Sequence, residues 1–267
     1  MQGADRYIEF RQVDFRYDSL LGAPNWILKG LDLSIRRGEF YVLLGPSGCG
    51  KTTALNMLAG FEHATGGQLT VDGREAAGPG VDRVVIFQGD DSLYGWLTAQ
   101  ENVEFPLKMA GVPASQRREK AQRQLDFVGL GRQGHKFPSQ LSGGMKQRIQ
   151  IARALVCDSP VLLMDEPFAA LDAQTRAILQ DELTNIQQRT SSTVLFITHD
   201  IAEAILLADR VGIMRSGPGS AIKEEIEIGL DRPRRRGDPA FGQLYDRIHA
   251  VLSEEVLRVQ RREEASA

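Results

Sequence analysis

Several absences narrow this sequence before any motif is read. Cysteine is nearly missing: Cys49 and Cys157 are too few for a disulfide framework, and a reducing compartment is the expected setting. Long apolar runs are missing as well. Tyr41–Leu44 and Val161–Met164 are strand-length, far below the ~20 residues of a membrane span. The chain is therefore expected to dock on a membrane component rather than cross a bilayer. Asp5, Arg6 and Glu9 stand where a secretion signal needs an apolar stretch, so none is expected. There is no basic surplus either. With 32 Lys and Arg against 35 Asp and Glu, the net charge of −3 gives no sign of a nucleic-acid partner. No repeat, low-complexity tract or sustained heptad pattern stands out.

What is present is an ordinary globular composition, 42% hydrophobic and 25% charged over 267 residues. That suffices for one large α/β domain, with or without a small appendage. Short β-type runs come first: Ile8–Tyr17, Leu31–Ile35, Phe40–Leu44, and Gln68–Val71 closing on the hairpin pair Asp72-Gly73. Helical spacing follows at Asn102–Met109 and Ala114–Val128. Three near-continuous apolar runs, Val84–Phe87, Val161–Met164 and Val194–Thr198, suit strands of a parallel sheet buried on both faces. Met145–Cys157 and Ala173–Gln188 suit its covering helices. After Ser216 come Gly and Pro, a short β-type run, an Arg-rich turn and a last amphipathic helix at Phe241–Arg258.

Gly45-Pro46-Ser47-Gly48-Cys49-Gly50-Lys51-Thr52 matches the phosphate-loop pattern, after a strand and before a helix from Thr53 to Leu58. Glycines let consecutive N–H groups converge on phosphate oxygens, and the helix N-terminus adds favourable partial charge. Lys51 would reach the phosphates, and the Thr52 hydroxyl would ligate Mg²⁺. A chance glycine-rich turn is the competing reading; a chain this long should show the pattern by accident on the order of one time in a hundred. A second candidate follows Val161–Met164. Asp165 at a strand end can hold the Mg²⁺ shell, and Glu166 can accept a proton from an attacking water. Paired acids at a strand end also serve as helix caps.

Leu141-Ser142-Gly143-Gly144-Met145-Lys146-Gln147-Arg148 resembles the signature of the ABC ATPases. Ser142 and two glycines at a helix start form a second anion site of exposed N–H groups; a plain Ser cap explains Ser142 but not Gly143 and Gly144. The resemblance covers nearly the whole chain and implies further roles. Gln88 would be the glutamine that senses Mg²⁺ and γ-phosphate and faces a permease. Ala169-Ala170-Leu171-Asp172 would be the loop that crosses a dimer interface, His199 the switch histidine on the γ-phosphate, and Tyr17 the aromatic stacked on adenine, with a strand-edge tyrosine as its alternative. Met145 and Ala169 depart from the commoner glutamine and serine of the family. His63, His135 and His249 lack matching context.

The resemblance implies a phosphate-loop NTPase core, a parallel sheet flanked by helices, with an antiparallel β subdomain and an α-helical subdomain. An ATPase domain over 1–231, its helical subdomain about 90–157, and a helical tail over 232–267 are expected. It implies an ATP hydrolase whose two copies sandwich two ATP molecules, with Glu166, His199, Lys51 and Gln88 in catalysis. Thr52, Gln88 and Asp165 would serve Mg²⁺. The phosphate-loop residues, Thr53, Tyr17, Ser142, Gly143, Gly144 and Asp172 would hold nucleotide. Expected partners are a second copy, permease subunits and, indirectly, a solute-binding protein, at the cytoplasmic face of the cell membrane. Leu93, Tyr94 and Trp96 either form the permease groove or pack within the helical subdomain. Pro167–Asp172, Gly217-Pro218-Gly219 and the stretch Arg232 to Phe241 resemble importers of nitrate, taurine and alkanesulfonates, without a large C-terminal regulatory domain. Arg234–Arg236 reads as a solvated turn, or as a contact with lipid or permease. The rival class is a soluble ABC-type mechanical ATPase on DNA or the ribosome. Such proteins usually pair two ATPase units in one chain, or carry coiled-coil insertions or zinc-binding cysteines, and none of these is seen here.

Overall fold

The structure, a computed structural model, describes residues 6–17, 25–87 and 92–266, with side chains to 261. It divides into two units, Met1–Gly80 with Ser191–Ala267, and Val81–Thr190.

In the first unit, strand pattern sets an antiparallel sheet. The deepest side chains of β1 (Arg6–Tyr17) are Ile8 and Phe10, then Val13 and Phe15, so the alternation slips by one. In β2 (Asn25–Arg36) it slips in the same way between Leu28 and Leu31. The slips are compensating bulges in a paired ladder: Phe10 faces Leu33, Val13 faces Leu31 and Phe15 faces Leu28. Gln12 and Gly30 are the extra residues, at φ 47° and 60°. Each finds an aspartate across the ladder: Gln12 N donates to Asp32 at 2.8 Å and Gly30 N to Asp14 at 2.6 Å. With Ile8 opposite Ile35 as well, all eight apolar side chains keep one face. β4 (Gly66–Val71) pairs with the other edge of β1 and turns at Asp72-Gly73 into β5 (Arg74–Glu75). Both turn residues have positive φ, the primed geometry expected of that dipeptide.

The same unit holds a parallel core. β3 (Phe40–Leu44) lies between β8 (Thr193–Ile197) and β9 (Arg210–Met214), parallel to both. Every residue of β3 and β8 is buried. The edge of β9 is closed by antiparallel β10 (Ile222–Glu227). Helices α1 (Lys51–Ala59) and α6 (Ile201–Leu207) follow β3 and β8. α7 (Pro239–Ser266) buries Phe241, Ile248 and Glu255, seven residues apart, and runs eight residues beyond the expected end. Glu255 is fully buried and accepts from Ser216 N at 2.8 Å and Ser216 Oγ at 2.9 Å, with Lys223 Nζ at 2.9 Å.

In the second unit, β6 (Arg83–Ile86) and β7 (Val161–Asp165) form a parallel pair. β7 is wholly buried, but Val84 and Val85 are half-buried, because β6 ends its sheet and lacks the second neighbour its apolar run suggested. α2 (Ala99–Met109), α3 (Ala114–Phe127) and α4 (Gly143–Leu155) pack on one another, followed by α5 (Ala173–Thr190). α2 starts three residues before the apolar spacing suggested. Its start is a capping box, Thr98 accepting from Glu101 N while Glu101 accepts from Thr98 N.

Candidate functional site

Two residues of the first unit follow from strand register. Leu43 pairs with Ile197, so Gly45 and His199 each stand two residues beyond the same rung, at the carboxyl ends of parallel strands. That edge is where open α/β sheets hold ligands. Thr198 N donates to Leu43 O at 3.4 Å, and Asp200 caps α6 by accepting from Ala202 N at 2.8 Å and Glu203 N at 3.1 Å. His199 is exposed between them.

The loop from Gly45 to Gly50 then doubles back into α1. Gly50, the residue before the helix, has φ 93°, and a Cβ there would lie 2.7 Å from Leu28 Cδ2. Gly48 has φ 75° with open space around it. α1 has no side-chain cap and no acid in its first turn, so the partial positive charge at its start favours an anion. Ser47, Gly48 and Thr52 are exposed, Pro46 and Thr53 partly so. Lys51 is 9% exposed and folds over the loop, donating to Gly45 O at 2.8 Å and Pro46 O at 2.9 Å. The Cys49 side chain points inward. A Cβ on Gly45 would lie 2.7 Å from its sulfur, and burial pushes its thiol pKa up despite the neighbouring Lys51. Only its backbone can serve a ligand.

Tyr17 ends β1, two residues past the Phe15–Leu28 rung whose Leu28 abuts Gly50. Its ring is 50% exposed and stands edge-on to Phe15 at 5.0 Å. Its hydroxyl donates to Glu62 at 3.5 Å, and burial followed by that carboxylate raises the phenol pKa.

In the second unit, β7 ends on Asp165, 6% exposed. Glu166 follows at φ 46°, a left-handed conformation that is uncommon for a glutamate and turns the chain sharply. Asp172 is exposed and caps α5 through Thr175 N at 2.9 Å, a bond that holds its carboxyl below the usual range. Ser142 caps α4, accepting from Met145 N at 3.4 Å. Gly143 and Gly144 open that helix without an acid in its first turn. A methyl on Gly144 would meet Ala170 O at 3.5 Å and Leu171 Cδ2 at 3.6 Å, ordinary contacts, so packing against this turn does not itself demand glycine. Gln88 lies outside the described residues.

Two sets of residues escaped sequence reasoning. Asn102, fully buried on α2, accepts from Tyr94 N and donates to the carbonyls of Tyr94, Leu97 and Thr98. Arg153 donates to Ser92 O and Oγ and lies over the Tyr94 ring. Together they clamp residues 92–98, with Tyr94 packed on Phe105 and Trp96 left 73% exposed. Tyr94 thus packs within the helical unit, whereas Trp96 does not bury its ring there. A polar residue on a helix face carries no sequence signal of such a role. The second set corrects the solvated-turn reading of Arg234. It donates to Leu230 O, Ile205 O and Ala208 O, and burial with nearby Arg232 lowers its pKa to about 10. Arg232 takes Leu207 O and Asp209. These guanidiniums satisfy the last carbonyls of α6, which no apolar pattern could foretell.

A buried strand, a glycine loop with its lysine, and an uncapped helix define a phosphate-loop nucleotide-binding protein. A family model described as ABC transporter matches residues 28–169. The nitrate import ATP-binding protein NrtD of Synechococcus elongatus is 47% identical over 227 residues, 83% of this chain and 82% of that protein. The bicarbonate transport ATP-binding protein CmpC of the same species is 43% identical over 234 residues, 85% of this chain and 35% of that larger protein. Among solved structures, a dimeric post-hydrolysis ATP-binding cassette bound to ADP and Pi matches with TM-score 0.75 at 30% identity, covering 84% of this chain and 100% of that one. The chain belongs to the ABC transporter family and is an ABC-type ATPase with the cassette fold.

Proposed function

We propose that this chain energises a membrane importer for a small anion, working as a homodimer docked on a separate permease at the cytoplasmic membrane face. No helix among the described residues is long and apolar enough to cross a membrane, so the membrane part falls to other subunits. One observation carries the dimer. Two helices begin at glycine with no acid in the first turn, α1 with Gly50 as its cap and α4 with Gly143 as its first residue; α3, α5 and α7 also lack an acid there but start on Ala114, Ala173 and Pro239. One triphosphate per copy needs one such cradle. The second serves the ATP of the partner, so ATP lies between Gly45–Thr53 of one subunit and Ser142–Gly144 of the other.

In this reading Lys51 exchanges the Gly45 and Pro46 carbonyls for phosphate oxygens, whose full charge makes them better acceptors. Tyr17 stacks on adenine. Glu166 takes the proton of the attacking water, His199 contacts the γ-phosphate, and Asp172 faces the dimer interface. Thr52, Asp165 and Gln88 fit Mg²⁺, a hard cation that uses few protein oxygens and keeps water and phosphate ligands. When bound, that ion neutralises charge on the phosphates. Closure of the sandwich excludes bulk water, and positioning does most of the catalysis. Trp96, within the clamped segment, presents apolar surface for the permease.

The solute is proposed from relatives. A nitrate importer's ATPase at 47% identity and a bicarbonate transporter's at 43% favour a small inorganic oxyanion, nitrate first. Taurine and alkanesulfonates rest on the sequence resemblance alone. The test is the Glu166→Gln chain. Hydrolysis is expected to fall ~10²–10⁴-fold with ATP binding retained, and light scattering should show an ATP-dependent dimer. Near-normal turnover removes Glu166 from the base role; a persistent monomer removes the sandwich. Co-purification with a multi-span membrane protein supports transport, and retention on DNA or ribosomes instead would favour a mechanical ATPase.

A further inference from the structure

Helix α4 holds a side chain that the site described so far does not use. Gln147 is 1% exposed, and neither its Nε2 nor its Oε1 has a hydrogen-bond partner among the described residues. No other residue among them has both ends of a side-chain amide in that state. A primary amide offers two donors and an acceptor oxygen, and burying them unmet destabilises a fold that leucine or methionine would not burden. Such a group calls for a reason beyond packing.

Its place suggests the reason. Gln147 stands four residues after Gly143 and three after Gly144, so α-helical geometry sets it on the face those glycines open. That face meets the turn after β7, since a methyl on Gly144 would lie 3.5 Å from Ala170 O. The turn begins at the left-handed Glu166 and ends at Asp172, the cap of α5. Between them it is held by two turn bonds, Ala169 N to Glu166 O at 3.2 Å and Leu171 N to Phe168 O at 3.1 Å. The unmet amide is thus one helical turn along the face that meets a bent segment running from Glu166 to Asp172.

We propose that Gln147 is a positioning residue for this turn: its amide engages peptide groups of residues 167–171 when two copies close on ATP, and lets go when they part. The inference rests on the two-copy reading above. A group satisfied in the closed state and unsatisfied in the open one biases the equilibrium towards closure by that difference. It also ties the helix carrying the second anion site to the residue that activates water.

The test is Gln147→Leu in the full chain, with Gln147→Met as a second variant of similar volume. Without nucleotide, both should be as stable as the parent or more so, and should bind ATP with unchanged affinity. Their kcat should fall roughly tenfold at constant KM, the loss of about one hydrogen bond made only in the closed state. ATP should protect the amides of 167–171 from hydrogen exchange in the parent and not in the variants. In the Glu166→Gln background, the added Gln147→Leu change should weaken ATP-driven dimerisation by a similar factor. Parental kcat and dimerisation in the variants overturn the inference alone. Lowered stability with parental kcat also overturns it, marking Gln147 as a structural amide bridged by buried water. Failure of Glu166→Gln itself to dimerise overturns the sandwich, and this inference with it.

Discussion

Replacing two glycines of the phosphate loop separates steric demand from backbone strain. Gly48 and Gly50 both have positive φ, 75° and 93°, but a Cβ at position 48 meets nothing within 4 Å, while one at position 50 lies 2.7 Å from Leu28 Cδ2 and 3.2 Å from Ile27 Cγ2. An L-residue held left-handed costs about 1–2 kcal/mol. Loss of glycine's freedom in the unfolded chain returns about 0.4–1 kcal/mol. Gly48→Ala should therefore destabilise by about 1 kcal/mol. Gly50→Ala adds overpacking against β2, about 1–3 kcal/mol, for a total of about 2–4 kcal/mol. Urea unfolding of both variants measures the difference, and nucleotide titration should show the larger affinity loss in Gly50→Ala, where the backbone entering α1 must shift. Equal destabilisation of the two, or a neutral Gly50→Ala, would refute the claim that contact with Leu28 sets the loop.

Lys51→Ala should weaken ATP binding at least tenfold while leaving the fold intact by circular dichroism, because its donors are held at the loop by Gly45 and Pro46. Glu255 supplies a pH dependence. Burial works to raise its carboxyl, but Ser216 and Lys223 outweigh burial and hold it below the ordinary value. A carboxyl depressed in the folded state stabilises fully above its unfolded pKa and loses that contribution as pH falls through the folded one. Acid unfolding of Glu255→Gln should accordingly be flatter across the low-pH limb than the parent's. Trp96→Ala should leave unfolding within about 0.5 kcal/mol of the parent, since the ring is 73% exposed, yet lower permease-stimulated hydrolysis. An unchanged stimulated rate takes Trp96 out of the docking surface.

Much of this molecule was legible because its signals are local. The apolar run of β3, the pair Asp72-Gly73 and the glycine spacing around Lys51 each act through neighbouring backbone, so their outcome is written in consecutive residues. The bulges at Gln12 and Gly30 were foreshadowed only by a slip in alternation, and the aspartates that satisfy them come from the opposite strand. α6 was missed because its seven residues are too few to establish a period. The capping box at Thr98 is a local signal that lies ahead of the apolar spacing at Asn102, so the spacing alone does not find it. Strand register and the Arg234 contacts were not readable at all.

By itself, the sequence determined the chemistry available: a glycine loop with its lysine, paired carboxylates after a strand, and a second glycine-opened helix, since each is a short-range pattern whose chemistry follows from residue type and spacing. Tertiary structure alone decided which residues come level at the sheet edge, as Gly45 and His199 do two residues beyond the Leu43–Ile197 rung. It also decided which polar groups are satisfied, as with Asn102, Arg234 and the unmet amide of Gln147. The reason is that burial and hydrogen-bond pairing depend on residues distant in the chain, and these meet only once the backbone has folded.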